Sequence, residues 1–223
     1  MHIPDGFIDI PTSAAFAGLA AAGIAVSLKG ARTQLDEKSA PLAGLTAVFI
    51  FAVQMLNFPV AAGTSGHLIG AALAMVLVGP YAATLALVVV LIIQAFLFAD
   101  GGLTALGLSI FNMAVISVWV SFGVFMLLKK IFPKTKSWLV IATFVSALIS
   151  VPAAAIGFVI QYAIGANATF SVGTVLNAMV GTHILIGIGE AIITALTVSA
   201  VLASRSDLVF GWDNKNIKLE IRS

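Results

Sequence analysis

Cysteine is absent, which excludes a disulfide, a thiolate metal site and a cysteine nucleophile. Charge is scarce: Asp, Glu, Lys and Arg make up 9% of 223 residues, where a soluble domain carries about 25%. No Gly-x-x-x-x-Gly-Lys-Ser/Thr stretch occurs, so the chain lacks the phosphate cradle of an ATPase. The few basic residues form no nucleic-acid footprint, and no nucleic-acid partner is expected. What remains is 61% hydrophobic, with mean hydropathy +1.13. That composition predicts an integral membrane protein, and its long apolar runs indicate helices rather than a barrel.

The apolar runs predict an all-α fold with seven transmembrane helices, over about 12–29, 40–58, 67–78, 81–98, 103–128, 138–164 and 172–203. The third run has only about twelve residues, short of the ~20 a full crossing needs. It is expected to begin below the membrane surface, with the turn-rich 59–66 segment dipping inward under protein cover. An odd number of crossings puts the two ends on opposite sides. With the N-terminus outside, Lys29, Arg32, Lys38, Lys129, Lys130, Lys134, Lys136, Arg205, Lys215, Lys218 and Arg222 all face the cytoplasm. The outer segments then hold only Asp5, Asp9 and Asp100. Residues 1–203 read as one membrane domain and 204–223 as a polar cytoplasmic tail.

The polar opening Met1-His2-Ile3-Pro4-Asp5-Gly6 stands out from the rest. No basic stretch precedes an apolar run and a cleavage site, so it does not read as a secretory leader. Pro4-Asp5-Gly6 is turn chemistry that can fold the terminus back on the protein. A free Met1 amine, the His2 peptide nitrogen and the His2 imidazole can form two fused chelate rings around one ion. Three nitrogens in a plane suit Ni(II) or Cu(II), and binding that releases protons weakens in acid. The alternative is a chance Met1-His2 start.

His67 falls on the same side and can supply a fourth nitrogen, with Gly63 and Gly66 allowing close backbone approach; otherwise it wets a helix end. Thr64, Ser65 and Asp5 are candidates for a supporting shell, although Asp5 fits turn capping equally well. His183 and Glu190 lie seven residues apart, on one helix face. Glu190 is the only acid within a predicted span, and an intramembrane carboxylate marks a functional candidate. A neutral Glu satisfied by neighbouring helices is the competing explanation. His183 reads as a residue orienting a ligand, a ligand of a second site, or packing glue. The span amides Gln54, Asn57, Gln94, Asn112, Gln161 and Asn177 suit interhelical hydrogen bonds, with Asn57, Gln94 and Asn177 placed to border the site. Ala43 and Ala47, like the row Ala17, Ala21 and Ala25, would let another helix dock closely.

The opening Met1 to Phe7, the segment from Asn57-Phe58-Pro59-Val60 to Thr64-Ser65-Gly66-His67, and Gly181-Thr182-His183-Ile184-Leu185-Ile186-Gly187-Ile188-Gly189-Glu190-Ala191 together resemble the CbiM/NikM proteins. These are substrate-binding subunits of energy-coupling-factor importers for cobalt and nickel. The resemblance covers essentially all seven spans. It implies a non-catalytic subunit of a bacterial or archaeal cell membrane that binds Co(II) or Ni(II) as substrate, through Met1, His2 and His67, with no organic cofactor. It also implies a transmembrane coupling subunit (CbiQ-like) docking near Ala43 and Ala47, a cytoplasmic ATPase pair (CbiO-like) and a small accessory membrane subunit (CbiN-like). Some relatives carry the accessory helices fused at the C-terminus, and here that part is expected to be separate. Cobalt is mildly favoured over nickel. Two other classes stay open: an intramembrane enzyme using His183 and Glu190, and a proton or ion channel using Glu190. No Ser-x-x-x-His or His-x-x-x-His pattern supports the enzyme, and only metal capture needs a free Met1 amine.

Overall fold

The computed structural model describes residues 1–35, 39–60 and 64–212. Helix α1 (Ile10–Gln34) starts where Asp9 accepts a hydrogen bond from the Thr12 N–H at 2.8 Å, with Pro11 in the first turn, where a missing N–H is tolerated. Helix α2 (Ser39–Gln54) follows. Strands β1 (Phe58–Val60) and β2 (Thr64–Gly66) then pair antiparallel, Phe58 opposite Gly66. Next come α3 (Ala71–Val78), α4 (Pro80–Phe98), α5 (Leu106–Ile131), α6 (Lys136–Gly165) and α7 (Val172–Ser204). Thr135 and Ser171 cap α6 and α7 by accepting main-chain N–H groups. Helix α5 contains a π turn at Phe111–Ile116. From it Asn112 Nδ2–H donates to Gln161 Oε1 of α6 at 2.7 Å, one of the interhelical amide bonds the sequence suggests.

Among the described residues α1, α4, α5, α6 and α7 are long and apolar enough to cross a membrane. Helix α2, with 16 residues, is shorter. Helix α3 has eight residues, all buried, and at 1.5 Å per residue spans about 12 Å, far less than a bilayer core. A helix that ends inside apolar surroundings leaves its terminal N–H and C=O groups without partners unless other segments supply them. At its C-terminal end the Phe210 N–H donates to Leu77 O at 3.2 Å and the Gly211 N–H to Val76 O at 2.9 Å.

Four sequence expectations change. The second span ends at Gln54 rather than Phe58, because the chain turns into a hairpin. The fold is therefore all-α but for that hairpin. The third helix begins at Ala71, leaving His67 in an extended stretch before it. The tail does not leave the domain at Ser204: Ser206–Leu208 forms a 3-10 turn, and Val209 and Phe210 are buried against α3. Asp36, Glu37, Lys38, Gly63 and residues 213–223 lie outside the described residues.

Candidate metal centre

The N-terminus is bound into the structure. The Ile3 N–H donates to Ser109 Oγ at 3.2 Å, and Ile3 O accepts from the Gly102 N–H at 2.8 Å. Ile8 bridges Ala166, with the Asp9 N–H donating to Gly165 O at 2.7 Å. Asp5 accepts the Thr104 N–H at 2.8 Å and its hydroxyl as well, so it fastens the turn rather than an imidazole. Met1, His2 and Ile3 are buried as a result. The Asp100-Gly101-Gly102 turn forms one wall. Gly101 has φ +90°, and a Cβ there would lie 2.9 Å from the His2 Cβ, so only glycine fits.

His67, on the short stretch between β2 and α3, stacks on His2 with ring centroids 4.9 Å apart and planes inclined by 30°. Its Nδ1 lies 2.8 Å from Leu68 O. A carbonyl only accepts, so Nδ1 carries the proton and Nε2 keeps its lone pair. That Nε2 is buried without a hydrogen-bond partner. His183 repeats the pattern: Nδ1–H donates to Met179 O at 2.6 Å, and Nε2 is buried and bare. The His183 ring borders the same space, 3.6 Å from a Cβ placed on Gly66. The Met1 amine is within electrostatic range of both rings and of Asp100.

His2 Nε2 lies 3.5 Å from Asp100 Oδ2, an ion-pair contact longer than a hydrogen bond. A proton drawn to Nε2 by that carboxylate leaves Nδ1 as the donor, which is the nitrogen a chelate with the terminal amine requires. Asn57 Nδ2–H reaches both Asp100 oxygens at 3.4 and 3.5 Å. Burial pushes the Met1 amine down to about 4, against the opposing pull of Asp100, and pushes His2 down to about 3 with help from the amine. Both are neutral donors near pH 7. Half-burial pushes the Asp100 carboxyl up, opposed by the Met1 amine and the Asn57 amide.

The structure thus gathers Met1, His2, His67 and His183 at one end of the bundle. Ser65 is half-buried on β2, and Thr64 opens that strand. Gln94 is buried near the C-terminal end of α4, whereas Asn177 is exposed on α7. Glu190 sits below the imidazoles, against the start of α3. Among the described residues no three His, Cys, Asp or Glu side chains converge as a metal cluster. Sequence reasoning counted Asp100 only as an outer charge. Its place in a Gly-rich turn was the available signal. Ala43 and Ala47 are half-buried and pack against the core, while Gly44, Leu45 and Val48 form the exposed face of α2. A cavity of about 210 Å³ lies at the opposite end, lined by Lys134, Trp138 and Trp212 among others, far from the histidines in sequence and in the fold.

Residues 2–208 match the family model CbiM, described as a cobalt uptake substrate-specific transmembrane region. The chain belongs to the CbiM family. It is a multi-pass membrane subunit of metal transport, and a transporter component rather than an enzyme. A protein of Archaeoglobus fulgidus provisionally named a fused nickel transport protein, NikMN, is 40% identical over 94% of this chain and 68% of its own length. The cobalt transport protein CbiM of Sorangium cellulosum is 31% identical over 94% of each chain. A crystal structure titled a transition metal transporter superposes with TM-score 0.85 at 29% identity, covering 100% of this chain and 99% of the other. The bacterial and archaeal origin of these relatives fits a protein of the cell membrane.

Proposed function

We propose that this CbiM-family subunit captures Co(II) or Ni(II) in a planar nitrogen site made by the Met1 amine, the His2 peptide nitrogen and imidazole Nδ1, and His67 Nε2. The observation that carries the reading is the stacked pair of buried imidazoles beside the buried terminal amine, with His67 Nε2 bare. Four nitrogens in a plane disfavour ions that prefer oxygen octahedra or tetrahedra. By the positive-inside rule the basic-loop end faces the cytoplasm and the site faces outside, with short α3 completing a seventh crossing together with the segments that meet its two ends. The ion moves inward when the subunit is coupled through α2, whose exposed face carries Gly44, Leu45 and Val48 beside Ala43 and Ala47, to a CbiQ-like transmembrane subunit driven by CbiO-like ATPases. A CbiN-like membrane subunit completes the set.

The test is metal content by mass spectrometry, on C-terminally tagged protein in detergent incubated with equal Co(II) and Ni(II). A second sample carries one extra residue before Met1. The native form holds about one ion per chain and the extended form holds none. Equal metal in both forms removes the terminus from the ligand set.

A further inference from the structure

The stretch from His67 to Gly70 leads directly into α3 and is gripped from two sides. Glu190 of α7, 2% exposed, accepts the Ile69 N–H at 2.6 Å on Oε2 and the Gly70 N–H at 3.0 Å on Oε1. Gln54, the last residue of α2, donates Nε2–H to Ile69 O at 2.7 Å. Gly70 takes φ +78°, with Ile50 where a side chain would project. A carboxylate at a helix N-terminus supplies acceptors for N–H groups that lack partners and lies at the favourable end of the helix dipole. Both Glu190 oxygens are therefore engaged by main-chain donors.

One peptide unit joins this grip to the metal site. The Leu68 carbonyl that accepts from His67 Nδ1–H belongs to the same peptide as the Ile69 N–H that donates to Glu190. The line runs imidazole, peptide, carboxylate. Each group polarises the next, as in hydrogen-bond chains generally. Metal-bound imidazoles commonly direct the other ring N–H to a carboxylate, which fixes the ring and strengthens its donor nitrogen. For His2 the neighbouring carboxylate is Asp100, in direct contact. We propose that Glu190 plays this part for His67 through the Leu68–Ile69 peptide, with Gln54 holding the following Ile69–Gly70 peptide, whose N–H also donates to Glu190. Glu190 is a positioning residue, neither a ligand nor a proton carrier. The proposal rests on the metal-capture reading above.

The experiment titrates Ni(II) into purified wild type, Glu190→Gln, Gln54→Leu and His67→Ala, and records the ligand-field spectrum of the bound ion. Glu190→Gln keeps the volume but can offer only one oxygen to two N–H groups. Its Ni(II) affinity is expected to fall about 10- to 100-fold, and its spectrum to shift from that of wild type toward that of His67→Ala. Gln54→Leu leaves Glu190 in place and is expected to shift both readouts in the same direction by less. A merely structural role for Glu190 would lower the yield of folded protein without moving the spectrum of the ion that is bound. Wild-type affinity and spectrum in Glu190→Gln overturn the proposal while the capture reading stands. If Glu190→Gln does not accumulate folded, Gln54→Leu decides, and an unshifted spectrum there overturns the proposal. Failure of wild type to bind Ni(II), or wild-type binding by His67→Ala, overturns the capture reading and this inference with it.

Discussion

The two ends of the bundle differ in what their lysines and histidines meet. At the basic-loop end Lys129 Nζ donates to Gly211 O at 2.6 Å, Lys136 Nζ donates to Leu202 O at 2.9 Å, and the 210–211 N–H groups meet the last carbonyls of α3. Those bonds close the fold. At the N-terminal end His67 Nε2 and His183 Nε2 are buried without hydrogen-bond partners, and His2 Nε2 has only the 3.5 Å contact with Asp100. An unsatisfied buried polar atom costs about 1–3 kcal/mol. The His67 and His183 imidazoles carry that cost together, each with its other ring nitrogen engaged by a carbonyl. Among the described residues the other bare buried atoms are hydroxyls and amides such as Ser27 Oγ, Ser121 Oγ and Asn112 Oδ1. The bare His67 nitrogen is the one that the proposed capture site uses.

The comparison breaks most visibly at Asp100. Asp100→Asn keeps the shape of the turn and removes the charge next to His2 Nε2. Ni(II) affinity is expected to drop about 10- to 100-fold, read by isothermal titration, with little change in unfolding temperature. Unchanged affinity would mean that the 3.5 Å contact does not orient His2.

A smaller effect distinguishes buried donors from exposed ones. The Met1 amine and the His2 imidazole, pushed down to about 4 and about 3, are already neutral at pH 6. The amide nitrogen is then the main donor that must release a proton. Affinity should rise about one decade per pH unit between pH 6 and 8, whereas a solvated amine titrating near ~8 would add a second proton and steepen the slope toward two. The metal-free fold behaves consistently. Its unfolded chain binds protons on the amine and imidazole that the folded chain excludes, so stability rises with pH over this range and is lost as pH falls toward 4. A slope near two would place the amine in water.

Much of the functional end was legible because its signals are local. The proposed fused chelate needs only Met1 and His2, and His183 and Glu190 share a face by helical spacing alone. Other features depend on pairings that no spacing encodes. The pairing of 58–60 with 64–66 reads as a turn-rich stretch because the strands are three residues each and contain Pro59 and Gly66. The role of Asp100 depends on the terminus folding back over it. Docking of Val209 and Phe210 answers carbonyls that exist only because α3 stops inside the protein. Ala43 and Ala47 face the core, since an alanine row marks close packing without saying which neighbour provides it.

The smallest effect is the control at the other end. Lys129→Met removes the bond to Gly211 O while retaining an apolar stem of similar length. A hydrogen bond from a charged donor contributes about 1.5–3 kcal/mol, and less where the group is partly wet. Thermal unfolding should therefore come at a lower temperature by a few degrees at most, with Ni(II) affinity unchanged. Helix α3 joins the two ends, with the Ile69 and Gly70 N–H groups just before it on Glu190 and the carbonyls of its last turn on the 210–211 segment. If Lys129→Met also weakened Ni(II) binding, the tail would be acting on His67 through that helix, and the two ends would form one coupled unit.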